Sequence, residues 1–229
     1  ETFAQQQCLL TKTKIFMETK ANKNTPSSKS ETKAKADTKK KDVADSKSDA
    51  TQKTKTTSKD TKSDNSGQEF REFFTDELKD ILWAEKALLK ALPKMRKAAT
   101  GKELAASFDE HMADAEKQID TLNQVFELMG KKPATKKCDA MEGLLSEADS
   151  IISDTEKGTA IRDAGLILAA QKAKHYEIAT YGTLAALADA MEEPKIAKLL
   201  RSILRSEKAS DKELTVLAVE SVNEYAAEE

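Results

Sequence analysis

The spacing of apolar residues most limits what this chain can fold into. Over residues 69–229, apolar side chains recur alternately four and three positions apart in four long segments. This spacing places an apolar stripe along one face of each helix, facing a partner helix. No strand-like alternation competes with it, so the sequence predicts four long amphipathic helices. The first stripe comprises Phe74, Leu78, Ile81, Leu88, Leu92 and Met95, with Glu85 as its one polar member.

Glycine and proline residues mark the predicted helix ends. Gly101, Gly130, Gly158 and Pro194 divide the region into long helices over 68–99, 102–129 and 159–191, with a fourth beginning at Pro194. A shorter amphipathic helix is predicted over 139–153. Short turns make antiparallel neighbours, and the long connection lets the two hairpins pair. The predicted fold class is therefore an all-α, ferritin-like four-helix bundle with a long crossover that carries a short helix.

The N-terminal part of the chain has a different composition. Residues 17–68 hold 13 lysines and 8 acidic residues, with Val43 as the only branched aliphatic residue. Such a segment cannot bury enough apolar surface to offset its ordering entropy. We therefore predict a disordered, low-complexity, Lys-rich tail over 1–68 and a bundle domain over 69–229. The overall net charge of −2 then combines a basic tail with an acidic bundle.

Two interpretations of the tail remain open. It is either a solvated segment or a weak, salt-sensitive arm for DNA or another polyanion. No aromatic residue lies between Phe16 and Phe70 to stack on bases, which disfavours sequence-selective binding. We also expect Met17 to be the natural start, with residues 1–16 as non-native upstream sequence, because polar residues interrupt any apolar signal-like stretch there.

Several classes of protein are disfavoured by composition. Two cysteines are too few for a disulfide-stapled fold or a four-cysteine zinc site. No run of 18 apolar residues occurs, so we predict no membrane contact and a cytoplasmic location. No GxSxG or phosphate-binding glycine loop is present. Cys138 lies where a helix begins, a position at which a helix N-terminus can lower the pKa of a thiol.

Polar residues interrupt all four stripes near their middles. Counting along each hairpin from its turn at 1.5 Å rise per residue places Asp114 and Gln118 within one turn of Glu85, and His175 level with Asp211. His111 falls one to two turns further along. Buried charges are costly unless they are paired or bind a metal. Carboxylates and imidazoles from four helices suit a dinuclear iron or manganese site, and the alternative is a hydrogen-bond network that sets helix register. The polar residues are Glu85, His111, Asp114, Gln118, Gln171, His175, Glu207 and Asp211.

Five longer sequence segments resemble those of a known protein family. They are AEKALLKALPKM (84–95), FDEHMADAEKQI (108–119), CDAMEGLLSEA (138–148), AAQKAKHYEIATYGTLAALA (169–188) and SEKASDKEL (206–214). Through these segments, residues 69–229 resemble the YciE/YciF family of ferritin-like bacterial stress proteins. The resemblance implies a rubrerythrin-like bundle, a homodimer, a non-haem di-iron site and a role in stress adaptation with ferroxidase or peroxide-linked activity.

Together, the polar layer and the resemblance give a predicted ligand set. Gln118 and Gln171 are predicted to orient the ligands by hydrogen bonds. Where the family usually has an acid before the third-helix histidine, this chain has Lys174, a cation near the predicted metals unless its side chain extends outward. Tyr176 and Tyr181 are expected to pack with hydrogen-bonded hydroxyls. The predicted metal ligands are Glu85, His111, Asp114, His175, Glu207 and Asp211.

Two functions follow from these observations. The first is a stress-response protein with a dinuclear non-haem iron or manganese centre and ferroxidase or peroxide-detoxifying activity. The alternative is a non-enzymatic, dimeric stress protein whose Lys-rich tail binds DNA or another polyanion.

Overall fold

The computed structural model describes the backbone of residues 61–229 and the side chains of residues 67–229. The predicted disordered tail up to residue 60, its polyanion binding and the predicted start at Met17 lie outside this part. Within it the chain forms helices and no strand, so the predicted all-α fold is confirmed. The elements are α1 (Thr61–Ala98), α2 (Lys102–Leu128), α3 (Asp139–Asp154), α4 (Ala160–Ala190), α5 (Pro194–Leu217), a π-helical turn (Ala218–Val222) and α6 (Asn223–Glu228).

The helix ends lie close to the predicted ones, except at the start of α1. Gly130, with a φ of 67°, follows α2, and Pro194 is the first residue of α5. Helix α1 begins at Thr61, so residues 61–68 of the predicted tail are helical. The apolar stripe shows only where a helix is buried. An existing helix can extend beyond its stripe, because adding one residue costs little free energy.

The four long helices form a ring of neighbours. Helix α1 packs against α2, α2 against α5, α5 against α4, and α4 against α1, while α3 lies against α1 and α4. Helices α1 and α4 run antiparallel, since Arg71 contacts Glu193 and the backbone of Thr100 contacts Asp163. The predicted bundle of two hairpins joined by a crossover with a short helix is therefore confirmed.

The predicted stripes lie in the bundle core, with one exception. The stripe of α1, including Glu85, is at most 3 % exposed. On α4 the predicted face was wrong, because Leu168 is 53 % exposed and His175 is also exposed. Both α3 and the ring cover α4, so apolar residues occur around most of this helix and periodicity does not select one face. Its buried face holds Leu166, Ala170, Ala173, Lys174, Glu177, Tyr181, Leu184 and Ala188.

Asp163 joins the first hairpin to the start of α4. Its Oδ1 accepts a hydrogen bond from the Thr100 backbone N–H at 2.7 Å, and its Oδ2 accepts one from the Gly101 N–H at 2.6 Å. These N–H groups lie at the start of α2, where the helix supplies no partner of its own. A Cβ atom at Gly101 would lie 3.1 Å from Asp163 Oδ2, so glycine suits this close approach. The carboxylate therefore holds the turn between α1 and α2 against α4.

Among the described residues, no helix combines the length and apolar character needed to cross a membrane.

Replacing Asp163 tests this contact. We expect Asp163→Ala to lower the free energy of unfolding by about 2 to 3 kcal/mol, because two backbone N–H groups lose the carboxylate of a buried residue as their acceptor. Urea unfolding followed by circular dichroism measures the change. The control is Asp149→Ala, which removes a surface ion pair with Lys94 and should cost less than about 1 kcal/mol. Equal losses in the two variants would contradict the assigned role of Asp163.

Candidate metal centre

A group of polar side chains from four helices lies inside the bundle. We call it the buried polar cluster, and each member is at most 5 % exposed. Ion pairs, hydrogen bonds and close approaches of ligand atoms connect its members. The cluster consists of Glu85 on α1, His111 and Gln118 on α2, Lys174, Glu177 and Tyr181 on α4, and Glu207 on α5.

Helical spacing brings these side chains to the interior. Glu85 occupies a stripe position between buried Ile81 and Leu88, and His111 and Gln118 lie two turns apart on the buried face of α2. On α4, steps of three and four residues place Lys174, Glu177 and Tyr181 on the same face. The polar residues therefore replace apolar ones over about two turns of the bundle core.

Lys174 is the cation of the cluster. Its Nζ lies 2.7 Å from Glu207 Oε2 and 3.6 Å from Glu177 Oε2. On the other side of Glu207, Gln118 Nε2 donates a hydrogen bond to Oε1 at 2.5 Å. Glu207 therefore links α5 to both α2 and α4.

Tyr181 connects α1 to the rest of the cluster. Its hydroxyl donates a hydrogen bond to Glu85 Oε1 at 2.5 Å, which joins α4 to α1. The predicted packing role of Tyr181, with a bonded hydroxyl, is confirmed.

Several buried polar atoms of the cluster have no hydrogen-bond partner among the described side chains and backbone. They include Glu85 Oε2, His111 Nε2 and both carboxylate oxygens of Glu177. A buried group without a partner costs about 1 to 3 kcal/mol, so such groups usually bind a proton, water or a cation.

Burial changes the protonation of these groups. It lowers the pKa of His111 well below its usual value, with a further contribution from Lys174, so the imidazole is neutral and keeps a lone pair. Burial raises the pKa of Glu85 to about 8 and that of Glu177 well above its usual range. For Lys174 burial opposes the charge, but Glu177 and Glu207 outweigh it and raise the pKa. In this environment Lys174 stays charged, while Glu85 and Glu177 tend to hold protons.

Three of the residues fit one metal ion. One ligand atom from each of His111, Glu177 and Glu207 lies within 4.8 Å of the others. Small side-chain movements can bring atoms at these separations onto a single ion. A neutral imidazole with two carboxylates is a suitable donor set for iron or manganese. The unpaired atoms of His111 and Glu177 are the positions where such an ion would supply the missing partner.

The structure brings only part of the predicted ligand set together. Glu85, His111 and Glu207 belong to the cluster, whereas Asp114, His175 and Asp211 do not. Asp114 lies nearer the surface, where its carboxylate contacts Lys117 and accepts a hydrogen bond from the Ser206 hydroxyl.

His175 and Asp211 form a separate pair at the surface. His175 Nε2 lies 3.2 Å from Asp211, and the histidine side chain is 69 % exposed. Gln171 also contacts Asp211, outside the cluster, whereas Gln118 contacts Glu207 inside it. Lys174 points inward on α4, and His175, which lies 100° further round the helix, points outward.

Sequence reasoning missed Glu177, which contributes a ligand atom to the cluster. A different register on α4 would have found it, because Ala170, Lys174, Glu177, Tyr181, Leu184 and Ala188 also follow the alternating spacing. The predicted register on α4 instead includes His175, which lies on the exposed face.

Cys138 lies at the start of α3 and is buried. Its Sγ accepts a hydrogen bond from Met141 N–H and lies 3.2 Å from the Tyr176 hydroxyl, which donates to Asp80. Burial raises the pKa of the Cys138 thiol. The loss of solvent outweighs the effect of the helix N-terminus.

Comparison with known proteins is consistent with this fold. A family model described as a domain of unknown function, DUF892, matches residues 69–227. The chain belongs to this family. Protein YciF of Escherichia coli (strain K12) is 47 % identical over 150 residues, which cover 65 % of this chain and 90 % of YciF. The resemblance to the YciE/YciF family is therefore confirmed.

Two solved structures share the bundle. The crystal structure of the E. coli stress protein YciF matches with a TM-score of 0.64 at 45 % identity, over 67 % of this chain and 97 % of that one. YcfI from Rhodopseudomonas palustris, described as a candidate structural protein, matches with a TM-score of 0.62 at 37 % identity. That match covers 64 % of this chain and 92 % of YcfI. The family of this chain is thus one of YciF-like stress proteins.

The raised pKa of Glu85 predicts how stability depends on pH. Between about pH 4.5 and 8 the folded state holds a proton that the unfolded state has released. The stability that this proton provides is fully present below pH 4.5 and is lost as pH rises through 8, at up to about 1.4 kcal/mol per pH unit. In metal-free protein, Glu85→Gln should therefore reduce the fall in unfolding free energy between pH 5 and 9.

Urea unfolding at several pH values, with a chelator present, measures this effect. Glu116→Gln removes an exposed carboxylate from α2 and is the matched control. Parallel pH profiles for wild type and Glu85→Gln would show that Glu85 does not hold the additional proton.

Proposed function

We propose that this chain is a metal-binding stress protein whose buried polar cluster holds one divalent ion, iron or manganese. His111, Glu177 and Glu207 are its ligands in this proposal. The observation that supports it is the approach of their ligand atoms to within 4.8 Å in a fully buried site.

The unpaired atoms favour a metal over the alternative of a structural hydrogen-bond network. A network that only sets helix register satisfies its members with one another. Here both oxygens of Glu177 and the Nε2 of His111 lack a hydrogen-bond partner within residues 67–229, although the Lys174 ammonium lies 3.6 Å from Glu177 Oε2. These atoms are good donors to a cation, and burial keeps water from competing for them.

Lys174 favours one ion over the predicted pair. The cluster contains three carboxyl groups, on Glu85, Glu177 and Glu207, and one ammonium group. With all three ionised, a single divalent ion brings the total charge to zero. A second divalent ion would leave the cluster with an excess of two positive charges, close to the Lys174 ammonium that lies 2.7 Å from Glu207. Lys174 thus takes the place of a second cation.

The predicted ferroxidase or peroxide-linked activity would use the redox chemistry that a bound iron or manganese ion supplies. The protein's own part is to exclude bulk water with the apolar stripes and to present a neutral imidazole at His111. Tyr181 orients Glu85 beside the ligands through its hydrogen bond. The homodimer, the cytoplasmic location and the polyanion-binding tail stay predictions.

Metal content tests the proposed ligands. Protein purified without chelator is loaded anaerobically with Fe(II) or Mn(II), dialysed and measured by elemental analysis. We expect about one ion per chain, and loss of most of it in His111→Ala and Glu177→Ala. The controls His175→Ala and Asp211→Ala, which remove the surface pair, should retain the wild-type content. Equal metal content in all four variants would overturn the proposal.

The number of ions tests the role of Lys174. Lys174→Met keeps the length of the side chain but removes its charge. Because it frees the space and charge beside Glu207, we expect binding to rise from about one to about two ions per chain. An unchanged content of one ion would show that Lys174 does not limit the site. Circular dichroism establishes that each variant is folded.

A further inference from the structure

A pocket between α2 and α5 lies directly beside the buried polar cluster. Its volume is about 150 Å³, which is enough for a partly hydrated ion. Asp114, Gln118 and Ser206 are among the residues that line it. A larger pocket beside Trp83 has no cluster member among its lining residues.

Gln118 belongs to both the pocket and the cluster. It lines the pocket wall, and its Nε2 donates the hydrogen bond to Glu207. Its Oε1 is buried and has no partner in the part of the chain that the structure describes. The amide therefore separates the pocket from a proposed ligand and offers an oxygen that can bind a passing cation.

Asp114 lies one helical turn before Gln118, on the outer side of the pocket. Its side chain is 28 % exposed and contacts Lys117, which is 74 % exposed. Exposed ion pairs contribute little to stability, so Lys117 can leave at small cost and free the carboxylate. Asp114, Gln118 and Glu207 thus form a series of oxygen ligands from the surface to the cluster.

We propose that this pocket is the route by which divalent cations enter the cluster. Asp114 captures the ion at the surface, and the Gln118 side chain moves aside to pass it to Glu207. This inference rests on the proposed function. It assigns Asp114, which the sequence suggested as a ligand, to the entry of the ion.

Uptake kinetics test the route, with Co(II) as the probe. Stopped-flow absorbance in low salt follows Co(II) binding to metal-free protein, and elemental analysis gives the final content. We expect Asp114→Asn to slow uptake by about five-fold or more while the final content stays the same, because the carboxylate attracts the ion. High salt should reduce this difference. Asp120→Asn removes an exposed carboxylate from the same helix, outside the residues that line the pocket, and should leave the rate unchanged.

Two further variants test the passage itself. Ser202→Trp should block the pocket and slow uptake, since Ser202 lies in its wall and away from the ligands. Gln118→Ala should speed uptake because it removes the side chain that closes the inner end. Binding by wild type, with equal rates in Asp114→Asn and Asp120→Asn and no slowing in Ser202→Trp, would overturn the route alone. Absence of Co(II) binding to wild type would instead overturn the proposed function.

Discussion

The ion pair between Lys174 and Glu207 is the interaction on which the interior of this bundle depends. Three carboxyl groups lie inside an apolar core, where uncompensated charge is very costly. The ammonium of Lys174, 2.7 Å from Glu207 and 3.6 Å from Glu177, supplies the compensating charge. Without it, the Glu207 carboxylate would be an uncompensated charge in the core.

The same cluster links the helices to one another. Glu207 joins α5 to α4 through Lys174 and to α2 through Gln118, and Tyr181 joins α4 to α1 through Glu85. At the end of the bundle, Asp163 holds the first hairpin against α4. Polar contacts of this kind have directional requirements that apolar packing lacks, so they set the rotation and level of each helix.

Burial also couples stability to ligand binding. The unpaired atoms of His111 and Glu177 cost free energy in the metal-free state, and a bound cation would remove that cost. Any ligand that binds only the folded state adds to its stability. With the ion that we propose, the cluster would link the metal available to the amount of folded protein.

The sequence by itself determined the helices, their ends and their pairing, because these depend on local spacing and on glycine and proline. It also identified Glu85, His111 and Glu207 as core residues, since each interrupts a clear apolar stripe. The register of α4 could not be read in this way, because α3 and the ring both cover it and apolar residues surround the helix. Only the packing of α4 decided that Lys174, Glu177 and Tyr181 face inward and that His175 faces solvent. Consecutive residues on a helix point in directions 100° apart. A shift of one residue in the predicted register of α4 therefore exchanges the predicted ligand His175 for Lys174.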